Sequence, residues 1–151
     1  MPIGKERIAE LIPHAGAMCL LDEVSSWDAT HVSASSRRHR DPKNPLRTAG
    51  GLATLSAIEY AAQAMAVHGA LAGAVTGSIT RRPRAGYLVS LRKVVCAAPR
   101  LDDFEGDLFV EAEQMMADGA SVMYAFSLRI GETEVLSGNA TVMLDIEGSA
   151  G

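Results

Sequence analysis

Leu52-Ala53-Thr54-Leu55-Ser56-Ala57-Ile58-Glu59-Tyr60-Ala61-Ala62-Gln63-Ala64-Met65-Ala66-Val67 is the stretch that decides the fold. It reads as one apolar helix, running from about Leu52 to Leu71, and within the quoted residues Glu59 carries the only charge. A helix that is hydrophobic all round is a buried one. An ionised carboxylate buried there costs several kcal/mol unless it is paired, hydrogen-bonded or neutralised. Glu59 is therefore either satisfied by a structural partner or kept for chemistry, and perturbed acids cluster at active sites.

Outward from the helix, the chain alternates turn signals with strand signals. A short helix is expected over Lys5 to Leu11, ended by Pro13. Met18 to Trp27 and Thr30 to Arg37 read as a hairpin joined through Asp28-Ala29. The loop from Arg37 to Gly51 holds Pro42, Asn44, Pro45 and Gly50-Gly51, and Ala72 to Arg84 reads as a second loop. Four strands follow, over Tyr87 to Cys96, Asp107 to Met116, Ala120 to Ile130 and Glu134 to Leu144. The alternation of polar and apolar residues in the second and third marks half-buried strands. These four read as an antiparallel meander. Strands and helices do not alternate along the chain, so the class is α+β. A helix this apolar needs cover on nearly every side, and a curved antiparallel sheet wrapped around it supplies most of that. Ala57, Ala61, Ala62, Ala64 and Ala66 let the sheet approach closely.

The chain has 151 residues, 48% of them hydrophobic, which suits a single domain over residues 1–151. Its net charge of −4 and pI near 5.5 do not favour nucleic acid. No apolar run reaches the roughly 18 residues that cross a bilayer, and the N-terminus lacks a signal-peptide core. Cys19 and Cys96 read as buried thiols of a reducing cytoplasm rather than a disulfide framework or zinc site. No cluster has metal-ligand spacing, and no metal or redox cofactor is expected.

The layout resembles the hotdog fold, in which a sheet wraps one long helix. Leu11-Ile12-Pro13-His14-Ala15-Gly16-Ala17-Met18-Cys19-Leu20-Leu21-Asp22-Glu23-Val24 is similar to the opening of 3-hydroxyacyl-ACP dehydratases, where Leu-Pro-His precedes an apolar strand ending in Asp-x-Val. Ile58-Glu59-Tyr60-Ala61-Ala62-Gln63 resembles their helix motif, an acid with a Gln four positions on. The resemblance covers nearly the whole chain and points to the dehydratase-like branch of aryl-polyene and related fatty-acid-type clusters. It departs in two places. Pro45 stands where those enzymes carry the catalytic histidine of a His-Phe-Pro motif, and Ala53-Thr54 replaces the Pro-Gly that opens their helix.

The resemblance implies dehydration of 3-hydroxyacyl thioesters, carried on the phosphopantetheine of ACP or CoA, to trans-2-enoyl thioesters. Glu59 is the expected acid. For the base, His14 follows the rigid Pro13 and is flanked by the small Ala15-Gly16-Ala17; its other reading is a bond to a backbone carbonyl. His39, amid Arg37, Arg38 and Arg40, is a second candidate. His31 reads as solvated. His68 lies nine positions after Glu59, on the opposite helix face at about 100° per residue, as a polar tip near the helix end. Gln63 shares the face of Glu59 and either orients the carboxylate or pairs with sheet backbone. Gly50-Gly51 lies where helix-N-terminal N–H donors would polarise the thioester carbonyl. Arg81, Arg82 and Arg84, or the Arg37–Arg47 stretch, would meet an anionic carrier. Met65, Leu88, Met115 and Met123 read as core, with an acyl tunnel lining as the other possibility.

The resemblance implies pairing across a sheet edge, as a homodimer or with another hotdog subunit, and a long uncovered edge also favours a dimer. The competing functions are a hotdog acyl thioesterase, with Glu59 activating water, and a non-catalytic acyl-binding or partner subunit.

Overall fold

The computed structural model describes residues 2–11, 19–46, 48, 51–52, 54–76, 85–97, 100–101, 106–118 and 121–145. The apolar stretch is helical. A 3-10 turn over Thr54–Ser56 leads into α2, Ala57–Thr76, a few residues longer at its far end than the sequence suggests. The short helix α1, Lys5–Leu11, lies where expected and buries Ile8.

Among the described residues, seven antiparallel strands form one sheet. They are β1 (Ile3–Gly4), β2 (Glu23–Trp27), β3 (His31–Ser36), β4 (Ala85–Cys96), β5 (Leu108–Asp118), β6 (Ser121–Ile130) and β7 (Thr133–Asp145). The sheet order is β1-β2-β3-β5-β6-β7-β4. The last four strands are thus not a simple meander. β5, β6 and β7 are consecutive neighbours, but β4 crosses to the far edge and pairs with β7 alone among the described strands.

Side chains alternate across the sheet, as a period of two requires. In β6, Val122, Tyr124, Phe126, Leu128 and Ile130 are buried, whereas Ser121, Met123, Ala125 and Ser127 are half-buried and Arg129 is exposed. The buried set meets α2, which packs on β3, β5 and β6. On the helix, Ala57, Tyr60, Ala61, Ala64, Met65, Val67 and Leu71 enter the core. Gly131, at φ 61°, opens the two-residue turn between Ile130 and Thr133, where a left-handed first residue suits the strand twist.

The first hairpin is shorter than its sequence suggests, and the hydrogen bonds show why. Leu20 N–H donates to Gln63 Oε1 at 2.8 Å, and Ser36 Oγ donates to the Leu20 carbonyl at 2.6 Å. Side chains satisfy that backbone, so regular pairing begins only at Glu23. The turn of the hairpin is closed by Asp28, whose Oδ1 accepts from the N–H groups of Thr30 and His31 at 2.9 and 2.8 Å. Those bonds hold the Asp28 carboxyl below its usual range.

His68, expected as a polar tip near the helix end, is wholly buried. Its Nε2 lies 3.0 Å from the Asp28 carbonyl, which can only accept, so Nε2 carries the proton. Nδ1 then accepts from the Tyr124 hydroxyl at 2.8 Å. One imidazole thereby ties α2 to both the hairpin turn and β6. Burial is the main cause that lowers the His68 pKa. The unfolded chain therefore binds this proton more readily than the folded one. The contribution of His68 is fully present above its unfolded pKa of about 6.5 and is lost as pH falls below that. Urea denaturation at pH 7.5 and pH 5.5 should show a lower midpoint in acid, with a smaller drop in His68→Asn. Equal drops in both proteins would assign the acid sensitivity elsewhere.

Among the described residues, no helix is long and apolar enough to cross a membrane.

Candidate active site

Glu59 sits in the first turn of α2. It is half-buried, a correction to the complete burial that its apolar neighbours suggest. Among the described residues the sheet covers one side of α2, and Ile58, Glu59, Ala62, Ala66 and Gly69 form a half-buried stripe beside it. The residues around Glu59 on that stripe are mostly small. Glu59 thus lies half-buried at the end of the helical stretch where N–H groups lack intrahelical acceptors and the dipole is positive.

Gln63, one turn on, does not share that exposure. It is fully buried, and its bond to Leu20 fits the backbone-pairing reading. Leu20 directly follows Cys19, the first described residue after the segment that carries His14, so Gln63 anchors the chain near that segment to the helix. Gln63→Leu would leave the Leu20 N–H buried and unpaired. A stability loss of about 1–3 kcal/mol is expected by urea denaturation; an unchanged midpoint would show that the bond contributes nothing.

The loop before the helix is tied down by a second set of bonds. Asn44 Nδ2 donates to the Arg38 carbonyl and to the Tyr60 hydroxyl, both at 2.8 Å. Burial pushes the Tyr60 phenol up to about 12, so it stays protonated. Arg38 Nε lies 3.7 Å from Asp22 Oδ1, and Lys5 Nζ lies 3.9 Å from the same oxygen. His39 is fully buried within the short 3-10 helix Arg38–Arg40, and is therefore not part of a solvated basic surface.

Gly51 is left-handed, at φ 102°, as a glycine readily allows. Its N–H donates to the Thr48 carbonyl at 3.0 Å, and its carbonyl accepts from the Thr48 N–H at 2.9 Å. That N–H is therefore occupied and is not a donor to a substrate, a correction to its expected place at the helix start. The turn Thr54–Ser56 takes that place. Gly50, His14, Arg81, Arg82 and Arg84 lie outside the described residues, as does the single-domain reading's last stretch, 146–151.

Two further expectations change. Met115 is 60% exposed and lines no buried tunnel, whereas Met65 is buried and Met123 half-buried. The β-bulge between Gln114 and Met116 interrupts the alternation there and turns both Met115 and Met116 outward. Cys96 is exposed, not buried, because it lies on the outer strand β4. Leu91, Val94 and Val95 on the same strand are also exposed, Val95 at 61%. A groove of about 350 Å³ lies on the outer face of the sheet, lined by His31, Lys93, Glu111, Glu113, Glu134 and Asn139 among others. Glu59 and Gln63 do not line it.

Known proteins agree with this architecture. The dehydratase heterocomplex ApeI:P from Xenorhabdus doucetiae superposes with a TM-score of 0.82, at 21% identity over 93% of this chain and 91% of that one. A mutant of thioesterase PA1618 from Pseudomonas aeruginosa gives 0.61, at 11% identity over 95% and 94%. The PaaI protein of the E. coli phenylacetic acid degradation operon gives 0.59, at 12% identity over 92% and 88%. At these identities the likeness shows the hotdog fold. No curated protein is significantly similar in sequence. The family model of the ApeP-like dehydratases, described as ApeP dehydratase, matches residues 6–147. With nearly its whole length matched, the chain belongs to the ApeP-like dehydratase family.

Proposed function

We propose that this protein dehydrates 3-hydroxyacyl thioesters to trans-2-enoyl thioesters, with Glu59 as the acid. The observation that carries the reading is one half-buried acid in the first turn of the central helix of a hotdog dehydratase chain.

In the reaction a base takes a proton from C2, and the electron pair left behind becomes the second bond between C2 and C3. The C3–O bond breaks, and the departing hydroxyl takes a proton from Glu59 and leaves as water. Each positioned proton-transfer group contributes about 10²–10⁴ in rate. His14 is the proposed base, through the Leu11-Ile12-Pro13-His14 segment that resembles the dehydratase opening. N–H groups of the turn Thr54–Ser56 are the proposed donors to the thioester carbonyl, in place of Gly51.

The substrate would arrive on the phosphopantetheine of an acyl carrier protein or CoA, and no other cofactor is needed. Arg81, Arg82 and Arg84 offer positive charge to that anionic carrier. A second hotdog subunit would pair along β4, whose outer edge carries exposed apolar side chains. The structural relative from Xenorhabdus doucetiae is itself a heterocomplex, which supports a different hotdog chain as that subunit.

Assaying one 3-hydroxyacyl-carrier substrate for both products tests the reading. Conjugated enoyl thioester without free thiol is expected. Release of free thiol would indicate a thioesterase, and binding without turnover by the chain and its partner would indicate an acyl-binding subunit.

A further inference from the structure

Thr54 opens the turn that leads into α2, and its hydroxyl has no ordinary occupation. A threonine at a helix start usually caps it, its oxygen accepting from an N–H two or three residues on. Thr54 Oγ1 does not, and among the described residues it has no other hydrogen-bond partner, although the residue is only 1% exposed. Buried hydroxyls are otherwise almost always bonded, and an orphan calls for a reason. A valine of the same shape would fill the space without that cost.

The surroundings limit what the hydroxyl could meet. The turn Thr54–Ser56 opens the helical stretch that continues as the 20-residue α2, so the N–H groups that lack intrahelical acceptors lie at this end, where the helix dipole is positive. A group that approaches these donors must be an acceptor oxygen. Thr54 lies in the turn directly before the one that carries Glu59, the only acid of the helix. The carbonyl of an acyl thioester is such an oxygen, and it belongs to the substrate on which Glu59 is proposed to act.

We propose that Thr54 is a substrate-contacting residue, its hydroxyl donating, alongside the first-turn N–H groups, to the carbonyl oxygen of the acyl thioester. This rests on the dehydratase reading above. The hydrogen bond strengthens as the carbonyl oxygen gains negative charge during loss of the C2 proton, so it acts chiefly on turnover.

The test compares wild type, Thr54→Val and Thr54→Ser as full chains, co-expressed with the partner subunit where one is required, on a 3-hydroxyacyl-CoA. Thr54→Val should lose about 10²-fold in kcat/KM, mostly in kcat, with a thermal midpoint equal to or above wild type. Thr54→Ser should stay within a few-fold of wild type. Full turnover in Thr54→Val overturns the proposal. So does a lowered midpoint in Thr54→Val with equal loss in Thr54→Ser, which would mark a packing role. If wild type forms no enoyl product, the dehydratase reading has failed on its own. Binding of a saturated acyl-CoA then decides for Thr54 through the smaller, ground-state part of the same hydrogen bond: binding weaker by a few-fold in Thr54→Val supports the contact, and unchanged binding overturns it.

Discussion

Glu59→Gln should lower dehydration by about 10²–10⁴-fold, the usual contribution of one positioned acid. The amide keeps the shape of the carboxyl but cannot give a proton to the departing hydroxyl. Because Glu59 is half-buried and lies on the less covered side of α2, the exchange should leave the fold intact. Circular dichroism and the urea midpoint check that point, and kcat on a 3-hydroxyacyl thioester checks the chemistry. Binding of the substrate should change far less than its turnover, because the lost interaction is made mainly in the transition state. A variant that turns over within a few-fold of wild type would remove Glu59 from the reaction.

The second large effect is expected at the sheet edge. Val95 is 61% exposed, and Leu91 and Val94 beside it are each 37% exposed, on a strand that pairs only with β7 among the described strands. An edge of this length, with apolar side chains, invites another strand, and charged residues there block it. Val95→Lys should therefore weaken association with the second subunit. Placing a charge at a central interface position costs about 2 kcal/mol or more, about 30-fold in affinity. Light scattering should show the complex dissociating at concentrations where wild type stays paired. The chain itself should keep its circular dichroism. If the mass is unchanged, β4 is not the contact. The partner's identity is read from the same experiment, since a self-associating chain gains mass alone and a chain that needs a different subunit gains mass only on mixing.

The architecture was legible because its signals are local. The all-apolar helix, the turn residues around it and the alternation in β5 and β6 each state their own conformation within a short window. Strand order is not local. Nothing in the sequence of Tyr87 to Cys96 says that its neighbour is β7 rather than β5, and so a crossover read as a meander. The two-residue strand β1 is too short to carry a period at all.

At the site, residue type was legible and environment was not. Glu59 stands out as a charge in an apolar run, but the run could not reveal which side of the helix the sheet leaves uncovered. Gln63 could equally have faced the carboxylate or the backbone, and the structure adds a bond from the Leu20 N–H to its Oε1. Gly51 had the right flexibility, yet its N–H closes a small turn with Thr48. Thr54 gave a signal that was open to reading, since a hydroxyl residue replaced the glycine of the resembling family at the helix start. Its meaning comes only from burial without a partner, which composition cannot show. His68 illustrates the reverse case. Helix geometry correctly separated it from Glu59, but its role as a buried tie depends on Tyr124 and Asp28, each far away in sequence.

Mass spectrometry of a 3-hydroxyacyl-carrier substrate, incubated side by side with wild type and Glu59→Gln together with any required partner, is the most direct measurement. The proposed chemistry predicts an acyl group lighter by one water, still joined to its carrier, with wild type and almost none with the variant. A free carrier thiol, or the same enoyl yield from both proteins, would contradict it.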